Sequence, residues 1–265
     1  MSTDGVGREP SRRGLLQGAA AGAVGAGIVA AGGAAGTASA ASGDGAAAGD
    51  RRVEVAILLY DGFTALDAVG PYEVLCRVPD VRVTMVARER GPVRTDTGEL
   101  SLVAERTLRQ TRRPDVLLIP GGGDRGVLAM MDDTAVHEWI RRVHRDSAWT
   151  TSVCTGSLIL GAAGLLRGLP ATTYWASRSF LKDAGATYTP GRFVEAGKII
   201  TAAGVSAGID MGIHLAARLA GEPVGKAMQL AVEYDPEPPY DTGSPEKADA
   251  ATRELALKLL ADAAV

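Results

Sequence analysis

Aromatic residues, cysteines and histidines are scarce in this sequence of 265 residues. Aromatic side chains make up 5% of it, and it has two cysteines and three histidines. A structural zinc site needs four Cys or His ligands in closely spaced pairs, and because no such pairs occur we expect no bound metal. Runs of Lys and Arg are also missing and the net charge is −3, which argues against a nucleic-acid partner.

Glycine and small aliphatic residues are what the sequence has in abundance. Glycine occurs 34 times and 46% of the residues are hydrophobic, so we expect a core made of Ala, Val, Leu and Ile. With 22% charged residues, the composition is that of an ordinary globular protein and excludes a disordered chain or collagen.

Residues 1–40 have the pattern of an export signal. Arg12 and Arg13 precede an uncharged stretch rich in Ala and Gly, which ends in Ala38-Ser39-Ala40, a small-x-small pattern typical of a signal-peptidase site. Weak hydrophobicity behind twin arginines predicts a Tat signal peptide, the Tat export machinery as a partner, and a destination outside the cytoplasm: extracellular, periplasmic or in the cell envelope. A membrane anchor is the alternative, which we disfavour because Ala and Gly partition weakly into hydrocarbon.

The remainder is predicted to be a flexible leader at 41–52 and one α/β domain at 53–265. Apolar runs predict strands and periodic segments predict helices, and their alternation predicts a mostly parallel sheet covered on both faces. The predicted strands are 53–60, 81–87, 115–123 up to its three glycines and 148–154, with a hairpin at 192–204. The predicted helices are 70–78, opened by Pro71, 133–145, 155–166 and 206–221.

Cys154 lies where a buried strand is predicted to end and an apolar helix to begin. Sites in such sheets collect at the carboxyl ends of strands, and Gly156 allows a sharp turn there. A thiol at a helix N-terminus is biased toward thiolate, so we expect Cys154 to be a nucleophile with a low pKa. Inert packing is the alternative. For Cys76, inside the predicted helix at 70–78, we favour packing, and a disulfide between the two cysteines stays open.

Two further features belong to the same sheet edge. The glycines after Pro120 have no side chains, so their N–H groups are free to face a ligand or a developing anion. Asp67 has two interpretations, a catalytic acid or a helix N-cap. Asp61, which precedes a glycine, is expected in a turn.

The three histidines do not fall at motif positions. His137 and His144 are placed by the helical period on the charged, solvated face of the helix at 133–145, and His214 is expected to be a satisfied core histidine. A Cys-His-Asp triad is therefore not predicted. The tail around Glu233-Tyr234-Asp235 and the proline-rich segment after it are expected to form a lid or a dimer loop.

Five stretches of the sequence resemble the DJ-1/PfpI superfamily, and within it the isonitrile hydratase branch. They are "LLYDGFTALDAVGPYEVL", "PGGG", "SVCTGSLILGAAGLL", "TAAGVSAGIDMGIHLAARLAG" and "QLAVEYDPEPPYDTGSP", within a match from about residue 53 to about residue 245. The resemblance implies a flavodoxin-like three-layer sandwich with a mostly parallel central sheet, a cysteine on a nucleophile elbow, and a homodimer.

The resemblance also implies a site. Cys154 is the nucleophile, Asp67 the acid that works with it, and Thr155 contributes to catalysis, while Gly121 and Gly122 offer backbone donors to the substrate or an oxyanion. Protease-like and glyoxalase-like members have a His at the position of Thr155, so both of those activities are disfavoured. A second family His is replaced by Tyr174.

The activity implied is the hydration of isonitriles, a small-molecule substrate, to N-substituted formamides through a cysteine thioimidate. This hydro-lyase chemistry needs no metal and no organic cofactor. The alternatives are a non-catalytic protein of the same superfamily that binds small molecules, or one that senses redox changes by oxidation of Cys154.

Overall fold

The computed structural model describes residues 51–264. The predicted signal at 1–40 lies outside the described residues, as does most of the predicted leader, so both stay predictions. Between residues 51 and 264 no helix has the length and apolar character that crossing a membrane requires.

The strands and helices alternate along much of the chain. In chain order the strands are β1 (Val53–Leu58), β2 (Val81–Ala87), β3 (Gly91–Arg94), β4 (Ser101–Ala104), β5 (Arg106–Thr107), β6 (Val116–Ile119), β7 (Trp149–Val153), β8 (Pro170–Ala171), β9 (Thr187–Tyr188), β10 (Phe193–Ala196) and β11 (Ile199–Ala202). The helices are α1 (Ala65–Leu75), α2 (Asp124–Asp132), α3 (Thr134–Asp146), α4 (Gly156–Ala162), α5 (Phe180–Asp183), α6 (Ala207–Ala220), α7 (Glu222–Ala231) and α8 (Ala250–Ala263).

Seven strands form the central sheet, in the order β10-β11-β7-β6-β1-β2-β5. Each neighbouring pair is parallel except the hairpin of β10 and β11, so the predicted sheet and the predicted hairpin are both confirmed. The parallel arrangement brings the carboxyl ends of β1, β6, β7 and β11 to one edge of the sheet. The loops that follow these strands therefore meet there.

The apolar runs of the sequence are the buried strands. All four residues of β6 are fully buried, and the last four of β1 are at most 1% exposed. Helices α1, α6 and α7 pack together in one group and α2, α3, α4 and α5 in another. With a helix group on each face of the sheet, both faces of the central strands are covered, which is why these strands are continuous apolar runs without polar alternation.

Helix α1 begins earlier than we expected. Pro71 was expected in the first turn, but the helix starts at Ala65 and contains Pro71 in its interior. Proline inside a helix loses a hydrogen bond and crowds the preceding turn. Its ring packs closely against α6, since a Cβ at Gly208 or Gly212 would lie 3.3 or 3.2 Å from Pro71 atoms. This tertiary packing outweighs the local preference of proline for a helix start.

Of two further helix ends, that of α4 differs from the predicted position and that of α6 agrees with it. Helix α4 ends at Ala162, four residues before the predicted end, although it is as buried as expected. Helix α6 ends as predicted at Gly221, whose φ of 93° suits a residue without Cβ.

The expectation for the histidines of α3 is wrong. His137 is buried, and its Nε2 donates to the Met130 carbonyl at 2.9 Å, while His144 is half-buried with Nδ1 2.9 Å from Thr150 Oγ1. Their ring nitrogens have hydrogen-bond partners on neighbouring elements, and helical periodicity alone cannot predict such partners. His214 is satisfied, but through a partly exposed hydrogen bond with Glu195 Oε2 at 2.6 Å rather than in the core.

Candidate active site

Cys154 forms a strained turn between β7 and α4. Its φ is 57°, a left-handed conformation that residues with a Cβ rarely adopt. Its N–H donates to the carbonyls of Ala202 and Ala203, at 3.1 and 2.9 Å. Its own carbonyl accepts hydrogen bonds from the hydroxyls of Ser157 and Thr173, both at 3.1 Å. Four hydrogen bonds therefore hold the backbone of one residue in a conformation that is costly by itself.

Gly156 makes this turn possible by its small size. A Cβ at this position would lie 2.2 Å from the carbonyl oxygen of Ile119 and 2.8 Å from that of Pro120. The start of α4 thus passes directly over the end of β6. Any larger residue would push the helix, and with it the cysteine, away from the sheet edge.

Asp67 enters the site from the first turn of α1. Its side chain is fully buried, and its Oδ2 accepts the N–H of Gly121 at 2.9 Å. Burial raises the pKa of Asp67 to about 7, against the lowering effect of the Gly121 N–H. The N-cap interpretation is wrong, because Thr64 occupies that position and Asp67 is the third residue of the helix.

The carboxyl group of Asp67 lies close to the Cys154 thiol. Oδ1 is buried without a hydrogen-bond partner among residues 51–264. The Cys154 thiol lies beside the carboxyl group and lowers its pKa, although no well-aligned hydrogen bond joins them. A buried carboxyl with a pKa near neutrality and an unused oxygen next to a thiol is suited to accept and return a proton.

Thr155 and the two glycines form a tight cluster. Gly122 N–H donates to Thr155 Oγ1 at 3.1 Å, and Thr155 Oγ1 lies 3.3 Å from the Gly122 carbonyl. A Cβ at Gly121 would lie 2.6 Å from the backbone nitrogen of Thr155 and 2.9 Å from Asp67 Oδ2. Both glycine N–H groups are thus engaged by side chains of the site, and their expected role as donors to a substrate stays a prediction.

The expectation of a lowered thiol pKa is wrong. Burial and the nearby Asp67 carboxylate raise the pKa of Cys154, although the N–H groups of Val205 and Thr155 act in the opposite direction. Helix α4 has only seven residues, so its dipole is small, and the thiol is 6% exposed. Desolvation and a neighbouring negative charge therefore outweigh the helix terminus.

Three groups that were not predicted from the sequence join the site. Tyr60 donates to the Pro120 carbonyl at 3.0 Å, and Asp96 accepts from Thr64 Oγ1 at 2.5 Å and raises the pKa of Asp67. The Val205 N–H faces the thiol from the loop after β11. Tyr60 and Val205 lie within family-like stretches that assigned them no role, and Asp96 lies outside those stretches, so only the shared sheet edge connects the three.

Tyr174 lies near the Cys154 thiol. Its half-buried ring contacts the loop after β11, where a Cβ at Gly204 would lie 3.0 Å from Tyr174 Cδ2. Burial and the Cys154 thiolate raise the pKa of Tyr174. Tyr174, which replaces a family His, therefore contacts the loop that lies next to the thiol.

No metal cluster accompanies the site: within the described part of the chain, no group of three or more His, Cys, Asp or Glu side chains is placed to hold an ion. A surface cavity of about 410 Å³ lies elsewhere, between Arg88, Trp139 and Arg142, and includes none of the predicted site residues.

Comparison with known proteins identifies relatives across most of the chain. The model of the DJ-1/PfpI family matches residues 53–218. An isonitrile hydratase from Pseudomonas putida is 41% identical over 206 residues, which cover 78% of this chain and 89% of that protein.

The fold is shared with solved structures. A ThiJ/PfpI family protein from Pseudomonas syringae superposes with a TM-score of 0.75 at 38% identity, covering 80% of this chain and 87% of that one. DJ-1beta from Drosophila melanogaster gives a TM-score of 0.63 at 19% identity over 69% of this chain and 98% of its own, a likeness of fold alone. The expected flavodoxin-like sandwich is confirmed.

Proposed function

The chain belongs to the DJ-1/PfpI family, and we propose that it hydrates isonitriles to N-substituted formamides. The observation that carries the proposal is the buried pair of Cys154 and Asp67, in which a thiol faces a carboxyl group whose pKa is about 7. The similarity to an isonitrile hydratase over 206 residues supports this substrate class.

The chemistry of an isonitrile fits such a pair. Its terminal carbon has to accept both a nucleophile and a proton, so the two must arrive at one atom. Asp67 removes the proton from Cys154 Sγ and passes it to this carbon while the sulfur attacks. An S–C and a C–H bond form, the S–H bond breaks, and the product is a thioimidate with Asp67 again ionised.

Water completes the reaction at the same carbon. Asp67 removes a proton from the water as its oxygen attacks, the electron pair of the C=N bond moves to nitrogen, and nitrogen takes the proton. The tetrahedral adduct then loses the thiol, which regains a proton from the new hydroxyl group. The sum is one isonitrile and one water converted to one N-substituted formamide, with no role for a metal or an organic cofactor.

A panel of alkyl and aryl isonitriles tests the proposal. Purified protein should release the corresponding formamide with multiple turnovers, measured by liquid chromatography and mass spectrometry, while Cys154→Ala protein serves as the blank. If no member of the panel is turned over but small molecules bind, the protein is a binding protein of the same family. If mild peroxide instead converts Cys154 to a stable sulfinate, the redox interpretation replaces hydration.

We also propose export through the Tat pathway, on the strength of Arg12, Arg13 and the small-residue segment that follows. Replacing both arginines by lysine keeps the charge and removes the twin-arginine signal, so the precursor should stay in the cytoplasmic fraction. Unchanged export would exclude the pathway. Recovery in the membrane fraction after a salt wash would favour an anchor.

A homodimer is the assembly we propose. No residue of helix α8 is buried, and Leu255, Leu257, Leu259 and Leu260 are each 42–59% exposed. Four exposed leucines on one helix leave apolar surface that association with a second copy would cover. Light scattering should give twice the protomer mass, and a monomer at micromolar concentration would exclude it.

A further inference from the structure

The loop between β11 and α6, residues 203–206, is part of the wall around Cys154. The Cys154 N–H donates to the Ala203 carbonyl at 2.9 Å, which ties the loop to the elbow. Two residues later, Val205 has a φ of 22°, an unusual conformation for a β-branched residue. Its N–H is near enough to the thiol to lower the pKa of Cys154. A strained residue that presents an N–H group to a nucleophile has to be held by its surroundings.

Arg192 holds this loop at both ends. Its carbonyl accepts the N–H of Ala203 at 2.9 Å, and its guanidinium Nη2 donates to Ser206 Oγ at 3.1 Å. The two bonds bracket Gly204 and Val205. One residue thus fixes the first and last positions of the loop, and the strained residue lies between them.

Arg192 is itself fixed by two groups from other elements. Its Nη2 and Nε donate to Asp210 Oδ2, at 2.5 and 3.1 Å, from the first turn of α6. The Tyr234 hydroxyl donates to the same oxygen at 3.0 Å. Tyr234 in turn is held by Gln229, whose carbonyl accepts its N–H at 3.0 Å and whose side-chain amide donates to its carbonyl at 3.1 Å.

We propose that Arg192, held by Asp210 and Tyr234, is a positioning residue that keeps the Val205 N–H against Cys154 Sγ and thereby sets the reactivity of the thiol. It touches no reacting atom itself. The proposal rests on the proposed role of Cys154 as the nucleophile. It also gives a function to Tyr234, in the segment that we expected to be a lid or a dimer loop.

Other titratable groups also face the thiol, and the test leaves them in place. Asp67 approaches from α1, Tyr60 from the loop after β1, and Tyr174 from the segment after β8. None of them contacts Arg192 through a hydrogen bond. A change in thiol reactivity on replacing Arg192 is therefore transmitted by the loop at 203–206.

The experiment measures the rate of Cys154 alkylation by iodoacetamide between pH 6 and 9, followed by peptide mass spectrometry so that Cys76 is counted separately. Arg192→Gln should slow the reaction about tenfold, because the Val205 N–H, which favours the thiolate, is held less closely to the sulfur. Arg218→Gln is the matched control: Arg218 also binds a carboxylate, that of Glu195, but has no bond to the loop. Its alkylation rate should equal that of the wild type.

Further variants separate positioning from folding. Ser206→Ala removes one of the two loop contacts and leaves the pair of Arg192 and Asp210, so it should slow alkylation by a smaller factor. Arg192→Lys should restore part of the rate. If Arg192→Gln does not fold, Ser206→Ala decides the question.

Three outcomes would overturn the proposal. They are alkylation at the wild-type rate in folded Arg192→Gln and Ser206→Ala, an equal loss in Arg218→Gln, and faster alkylation, which would make the loop a shield. Because alkylation uses no isonitrile, failure of the proposed hydratase activity would leave this result intact, and the reverse also holds.

Discussion

The two cysteines of this chain differ in backbone conformation. Cys76 caps the C-terminus of α1 with a φ of −67° and a ψ of −11°, an ordinary helical conformation. Cys154 has a φ of 57° and is held by four hydrogen bonds from three neighbouring segments. The chain accepts strain at one cysteine and none at the other, which is the pattern expected where a side chain has to be presented in one direction.

Their chemical surroundings differ as much. Cys76 is half-buried, its thiol donates to the Glu73 carbonyl at 3.8 Å, and its sulfur accepts from Arg77 Nη1 at 3.3 Å. Cys154 is buried beside Asp67, which raises its pKa. Both thiols are free, so the disulfide is not formed. The strained cysteine is therefore not the more accessible one, and a carboxyl group lies next to its thiol.

The sharpest test of this difference is removal of each thiol. Cys154→Ala should lower the kcat/KM for isonitrile hydration by at least about 1,000-fold, because the nucleophile is lost. Cys76→Ala should change it less than about twofold, since the Cys76 side chain contacts no group of the site. Formamide release by the two purified variants, with melting curves as a folding control, makes the measurement. An equal loss of kcat/KM in both variants would show that Cys154 has no special role in hydration.

The next largest effect is expected at the carboxyl group. Asp67→Asn should reduce hydration about 100-fold or more, because asparagine keeps the shape but transfers no proton. The double variant with Cys154→Ala should be little worse than Cys154→Ala alone, since residues that act as a unit are not additive. Kinetic constants for the single and double variants make the measurement.

A melting curve at pH 8 separates proton transfer from folding in Asp67→Asn. Burial raises the pKa of Asp67 from 3.8 to about 7 in the folded state, so stability falls as the pH rises between these values. At pH 8 the wild type carries the full cost, which the neutral amide removes. The variant should thus melt no lower than the wild type. A fall of several degrees together with retained activity would assign Asp67 a structural role only.

The pH dependence of activity follows from the same pair. Asp67 with a pKa of about 7 means that the pair holds two protons below neutral pH and one above it. Only the one-proton form supplies both a nucleophile and a proton, so kcat/KM should rise about tenfold per unit below pH 7 and level off above it. A profile that is flat from pH 5 to 8 would contradict a shared proton.

The rate of alkylation by iodoacetamide tests, without a substrate, whether Cys154 and Asp67 share a proton. In the wild type the rate at Cys154 should level off above pH 7, because the remaining proton is shared with the carboxylate. In Asp67→Asn the rate should keep rising and exceed the wild type about tenfold at pH 8. Cys76 serves as the internal control in both proteins, and its rate should not respond to the substitution.

Much of the fold could be predicted from the sequence because strands and turns leave local patterns in it. Parallel strands buried on both faces are continuous apolar runs, as in β1 and β6, and the turn at Cys154 is marked by an apolar strand followed by a glycine. The start of α1 is not readable, because Pro71 is tolerated only through its packing on Gly208 and Gly212, far along the chain.

The residues of the site could be predicted from the sequence, but the shifts of their pKa values could not. Resemblance to known proteins identified Cys154, Asp67 and Thr155, and the fold brings all three together at one sheet edge. The direction of the thiol pKa was predicted wrongly, because position at a helix start is visible in sequence whereas burial and the approach of Asp67 are not. The contacts of Arg192 have no sequence signal at all.

The smallest expected effect concerns the hydrogen bonds that hold the elbow. Thr173→Val removes the hydroxyl that donates to the Cys154 carbonyl but keeps the side-chain shape. The carbonyl retains its bond from Ser157, so the loss should be about 1 kcal/mol of unfolding free energy, or about 2–4 °C in Tm. Activity should fall a few-fold, because the strained φ of Cys154 is less well held.

Thr189→Val is the matched control for this substitution. Its hydroxyl makes a local bond of 3.4 Å to the Thr187 carbonyl, away from the elbow, so its removal should leave activity unchanged. Cys76 supplies the contrast within the same molecule, since its carbonyl accepts no side-chain hydrogen bond in residues 51–264 and α1 alone sets its backbone. If Thr173→Val and Thr189→Val behave alike in both stability and activity, side-chain hydrogen bonds do not maintain the elbow, and its strain has to be held by the backbone bonds to Ala202 and Ala203.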